Sequence, residues 1–162
     1  MTNREFFLQR RLVEQQLFEH VFQAVPADKL DWRPEPKARS VRELMGHLIG
    51  HEQDLVELLE RGEINHRMQV TFTDVNHGIE LFRQANETAK AKLESLDDAA
   101  WEQKSGKFLI DGNTVYEIPC RDLGWVLWFD SIHHRGQLTT YLRPMGSKVP
   151  SIYGPSADNG AP

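Results

Sequence analysis

The sequence predicts an all-α fold: a four-helix bundle with a small β-hairpin just before the last helix. Three observations lead there. Four stretches of about 20 residues carry apolar side chains at helical spacing. Clusters rich in proline, glycine and polar residues separate them. One segment around Asp111-Gly112-Asn113 reads instead as two β-like runs joined by a turn. The 162 residues suit a single domain spanning 1–162.

Residues 4–24 form the first helix, with Phe6, Phe7, Leu12, Val13, Leu17, Val21 and Ala24 set among charged and polar neighbours. Pro26 ends it. PADKLDWRPEPKARS holds three prolines, a density no helix tolerates. Residues 25–39 are therefore expected as an ordered loop, with Trp32 anchoring it to the body. Ser40 and Glu43 make a capping box. The second helix runs from Val41 to about Arg61, where Gly62 stops it. Residues 63–73 connect. Thr73 or Asp74 caps a third helix, which continues through Ile79, Phe82, Ala85, Ala89 and Leu93 to about Leu96. GKFLIDGNTVYEIP supplies the hairpin within residues 97–118, and a lone hairpin must lie on the helices to be stable. Pro119 suits the first turn of the fourth helix, which ends near Arg143 before Pro144 and Gly146. The tail GSKVPSIYGPSADNGAP reads as extended and turn-rich, and no internal repeat is present.

The composition is that of an ordinary globular domain, 40% hydrophobic and 27% charged. A net charge of −5 argues against a nucleic-acid partner, which needs a basic face. Cys120 is the single cysteine, so no intrachain disulfide forms, and it reads as a structural thiol. The opening MTNREFFLQRRLVEQQ lacks a signal-peptide core. No apolar run approaches the roughly 18 residues of a membrane span. A cytoplasmic protein with no membrane partner is expected.

WFDSIHHRGQLTTYL places an acid and two histidines in an apolar helix. At 3.6 residues per turn, Leu123, Val126, Leu127, Asp130, His134, Gln137, Leu138 and Tyr141 share one stripe. Asp130 and His134 lie four apart, one above the other. His133 points about 100° away. Trp125, Trp128, Phe129 and Ile132 form a second apolar strip, so this helix is either central or also faces a partner subunit. On the second helix, His47 and His51 are also four apart. Metal sites in bundles are assembled from facing helices. Two imidazoles with the Asp130 carboxylate would suit Zn²⁺, Ni²⁺ or Fe²⁺ and leave positions open. The same D-x-x-x-H spacing also serves a plain hydrogen-bonded pair. By periodicity His51 lies nearer the centre of its apolar face than His47. His20, His66 and His77 read as surface or loop histidines, Arg135 as a salt-bridge partner, and Gly136 as a point of close helix contact.

WRPEPKARSVRELMGHLIGHE, followed much later by HHRGQLTTYLRPMGSKVPSIYG, resembles the DinB/YfiT-like superfamily of metal-binding bundles from about Trp32 to Tyr153. The name is shared with a DNA polymerase of which no motif is present. The resemblance implies up-down-down-up helices with a long crossover, and a divalent metal held by three side chains. These map to His47, Asp130 and His134, with Asp130 standing where many members have histidine. His51 then becomes a supporting partner, a fourth ligand or a base. Gln137 and Tyr141 would line the open side. The loop at Trp32 and the tail at Tyr153 would border the approach of a small-molecule substrate. Relatives of this fold include thiol-S-transferases that use low-molecular-weight thiols such as bacillithiol or mycothiol, and a few isomerases and hydrolases. The implied function is metal-dependent transfer chemistry with a thiol, in a homodimer. The alternatives are a hydrolase using the same site and a non-catalytic dimeric stress-response or binding bundle.

Overall fold

The computed structural model describes residues 1–66 and 69–159. Within them lie five α-helices and a three-stranded sheet: α1 (Asn3–Gln23), α2 (Val41–Arg61), β1 (Glu63–Asn65), α3 (Val75–Ser95), α4 (Asp98–Gln103), β2 (Ser105–Ile110), β3 (Asn113–Pro119) and α5 (Cys120–Leu142). Four helices are long and one is a short turn-and-a-half. The last three residues of the expected tail lie outside the described residues, as do residues 67 and 68 of the expected connection.

Local chemistry sets the helix starts. Thr2 and Glu5 form a reciprocal capping box on α1, as Ser40 and Glu43 do on α2. Asp74 accepts from the His77 N–H at the start of α3, and Asp97 caps α4. Gly62, at φ 76°, closes α2 in the left-handed conformation. Pro119 does not sit inside the first turn of α5; it is the last residue of β3 and flanks the helix at its N-cap.

α1 packs on α3 and α5, and α2 packs on the same two helices. The core between them holds Phe18, Phe22, Phe82, Leu44, Leu48, Ile49 and Trp128. Two guanidinium–carboxylate pairs cross it. Arg11 donates to Glu52 and, at 3.0 Å, to Asn86. Arg135 donates to Glu14 at 2.6 Å and to the Tyr153 hydroxyl at 2.6 Å. On α5, Leu123, Leu127, Trp128, Ser131, Arg135, Leu138 and Leu142 are buried, while Val126 and Phe129 stay exposed. No helix among the described residues is long and apolar enough to cross a membrane.

The β region is larger than a hairpin. β2 and β3 pair antiparallel around the two-residue turn Asp111-Gly112, both at positive φ (50° and 76°), as this turn type requires. β1 adds a third, parallel strand on the other side of β2. A three-residue strand within the expected connector carries no periodic signal of its own. Nor does α4, whose six residues bury Trp101.

Gly136 makes no close contact: a Cβ there would meet nothing within 4 Å. Gly46 does. A Cβ at Gly46 would lie 2.6 Å from the Val70 carbonyl oxygen, on the segment whose Val70 N–H donates to the Gly46 carbonyl at 3.2 Å. Gly46→Ala should therefore push that strap off α2 beside His47, destabilising the protein by about 1–3 kcal/mol. A thermal melt unchanged from wild type would refute this.

Candidate metal centre

Four side chains from two helices converge at one place in the fold. α2 supplies His47 and His51, each 4% exposed. α5 supplies Asp130 and His134. The Asp130 Oδ2 atom lies 3.6 Å from His47 Nε2, 3.4 Å from His51 Nε2 and 3.3 Å from His134 Nε2. Asp130 is 45% exposed, so the group opens to solvent on the α5 side.

The hydrogen bonds behind the rings decide what they present. His134 Nδ1 is 2.8 Å from the Gln137 amide oxygen, while the Gln137 amide nitrogen donates to His133 Nε2 at 3.0 Å. An amide oxygen only accepts, so Nδ1 of His134 carries a proton and its Nε2 faces the site. The Ser131 hydroxyl donates to the Leu127 carbonyl at 2.8 Å. It therefore accepts from His51 Nδ1, 3.1 Å away, and the His51 Nε2 is the free atom. Burial, then the neighbouring His47, push the His51 pKa down to about 3. His51 is thus neutral, with a lone pair aimed at a carboxylate oxygen.

Lone pairs facing one another at 3.4 Å repel unless a cation stands between them. In the metal-free protein protons fill part of that role. Hydrogen bonds from His134, then from His47, hold the Asp130 carboxyl well below its usual range. Burial lowers the His47 pKa, and its buried Nδ1 has no hydrogen-bond partner among the described residues. A divalent ion would replace the protons, as metal binding to histidine generally does. Donors held tetrahedrally at about 2.1 Å from a zinc-like ion lie about 3.4 Å apart, which matches the spacing around Asp130. His47, Asp130 and His134 each offer a ligand atom within 4.8 Å of the others, and this group can hold a metal ion.

A second group shares one member with the first. His47, His51 and His66 also present ligand atoms within 4.8 Å of one another. His66 was expected at the surface or in a loop. It lies in the connection just past β1, where its N–H donates to the Leu109 carbonyl at 3.0 Å, but its side chain is buried rather than at the surface. Its ring stacks on Phe108 with centroids 5.1 Å apart. Its Nδ1 meets the buried Asp54 carboxylate at 2.5 Å, leaving Nε2 free. Because both groups use His47, ions at the two positions would compete for one imidazole.

Other expected site residues are placed as follows. Gln137 supports His134 from behind. Tyr141 packs edge-on against Trp32, with ring centroids 5.5 Å apart, so the proline-rich loop is pinned to α5. A cavity of about 370 Å³ lies beside His134, Gln137 and Tyr141. Tyr153 is elsewhere: its hydroxyl joins Arg135 and Glu14, in a groove with Phe6 and Trp125. Cys120 is buried, and burial raises its pKa. Arg39, absent from the sequence-based set, reaches the site with its Nη1 3.4 Å from His134 Nε2.

A helical protein that gathers histidine from one helix, and aspartate and histidine from another, around a common point has the build of a helical metal-site fold. The DinB superfamily model matches residues 13–138, and the chain belongs to that superfamily. Two solved structures share the fold. A DinB-like protein from Bacillus subtilis is 21% identical with a TM-score of 0.71, covering 90% of this chain and 96% of that one. A DinB-like protein from Bacillus cereus is 18% identical with a TM-score of 0.76, covering 92% and 97%. A mycothiol-dependent maleylpyruvate isomerase is 14% identical with a TM-score of 0.48, covering 93% of this chain and 67% of that one, too slight a likeness to carry an argument. No curated protein matches the chain.

Proposed function

We propose that this chain uses the up-down-down-up four-helix arrangement of its family to hold one divalent ion on His47, Asp130 and His134, and that the site transfers a low-molecular-weight thiol to a small electrophile. The observation that carries the reading is the convergence of three imidazole Nε2 atoms on Asp130 Oδ2 at 3.3–3.6 Å, with one side open. An ion with unfilled positions supplies Lewis acidity, lowering the pKa of a thiol or water at neutral pH. The chain's residues do the rest. Gln137 and Ser131 fix the rings of His134 and His51 so that Nε2 points inward. His51, with a pKa of about 3, is a neutral donor at neutral pH rather than a general base. Asp130, the exposed member, leaves a path by which the displaced proton reaches solvent.

The test uses cobalt as the ion and 2-mercaptoethanol as the thiol. Cobalt-loaded wild type is expected to show a thiolate-to-cobalt absorption band on titration, and Asp130→Ala and His134→Ala are expected to lose it. Bound cobalt with no such band at saturating thiol would sink the thiol reading. Turnover of an ester or amide without any thiol would favour the hydrolase that the same donors also permit.

A further inference from the structure

We infer that Arg39 is an anion-binding residue of this site, and that the reactant entering beside His134 carries a small oxyanion, a carboxylate or a phosphoryl group. This rests on the open side of the site described above. The buried arginines of the protein sit on carboxylates, Arg11 on Glu52 and Arg135 on Glu14. Arg39 is part-buried and has no carboxylate partner among the described residues. Among those residues its one polar side-chain contact is an imidazole nitrogen, His134 Nε2, at 3.4 Å, an atom that also faces Asp130 at 3.3 Å. A guanidinium is always charged and only donates, so a lone ring nitrogen leaves most of its donors unused.

Its position is fixed. Arg39 immediately precedes Ser40, the 3% exposed N-cap of α2, whose backbone N–H donates to Glu43 at 2.6 Å. It opens onto the cavity of about 370 Å³ that also contacts Lys37, His134, Gln137 and Tyr141, and no carboxylate lines that cavity. Two cations therefore face a hollow with no acid in its wall, in a chain whose net charge is −5. The single long contact to His134 leaves the other donors of the guanidinium beside the open side, where its fork matches two oxygens of an anion. Tyr141 and Gln137 supply the neutral wall.

The test titrates inorganic phosphate and, separately, propionate into tag-free protein. Binding is followed by isothermal titration in wild type, Arg39→Gln and Arg39→Lys, and in wild type also by NMR at the Arg39 Nε–H. Saturable shifts at Arg39 are expected with at least one anion. Affinity should fall about tenfold in Arg39→Gln and by less in Arg39→Lys, which keeps the charge but loses the fork. The preferred anion names the oxyanion class. An Arg39 resonance that neither anion moves, or equal affinity in wild type and Arg39→Gln, would overturn the inference. These titrations use neither thiol nor metal, so their outcome is separate from that of the cobalt experiment.

Discussion

Replacing His47 with alanine is expected to abolish metal binding, the largest functional effect of any single substitution in this protein. His47 belongs to both groups of candidate ligands, the one with Asp130 and His134 and the one with His51 and His66. Losing it leaves neither group with three donors. Loss of a residue that merely supports a ligand lowers affinity by about 10–100-fold, and loss of the shared ligand should exceed that. His66→Ala, by contrast, leaves the Asp130 group whole and should retain the ion. The measurement is metal content after loading and desalting. Equal content in His47→Ala and wild type would remove His47 from the site. The substitution should not unfold the chain, because among the described residues the ring has no hydrogen-bond partner at its buried Nδ1 to lose.

Glu52→Ala should produce the largest loss of stability. Glu52 is 1% exposed and Arg11 5% exposed. The guanidinium also lies 4.8 Å from the Trp128 ring centroid and bonds Asn86. Without Glu52 a charged group stays in the core with only an amide and aromatic faces beside it. Breaking one side of a buried ion pair costs about 3–5 kcal/mol. For a chain of this length that lowers the melting temperature by about 6–20 °C. Replacing both partners with apolar residues, as in Arg11→Met with Glu52→Leu, should recover much of the loss, since burying the pair was itself costly. A Glu52→Ala melt within about 2 °C of wild type would contradict this reading.

Much of the frame could be read from the sequence because its signals are local. Ser40 and Glu43, Gly62, and the Asp111-Gly112 turn each act within a few residues, and each marks an element edge in the structure. β1 and α4 could not be read. β1 exists only because it pairs with β2 across a long separation, and α4, at six residues, is under two turns long, too short for a helical repeat to show. The site divides in the same way. Asp130 and His134 are one turn apart on a single helix, so their shared face is visible in the spacing. Choosing between His47 and His51 by periodicity could not work, because α2 is covered by α3 on one side and α5 on another and both histidines are buried. His66 depends on the β1–β2 pairing, and Arg39 depends on where the proline-rich loop folds back. Neither carries a sequence signal that points to α5. Tyr153 marks the opposite error: its place in the tail suggested the site, but its hydroxyl belongs to the Arg135–Glu14 pair.

The most direct test of the metal centre is the metal content of tag-free wild-type protein, purified without chelator or nickel resin and then offered zinc, nickel or iron. The convergence of His47, His134 and Asp130 predicts close to one tightly held ion per chain. Protein that emerges metal-free after each of these incubations would contradict the assignment.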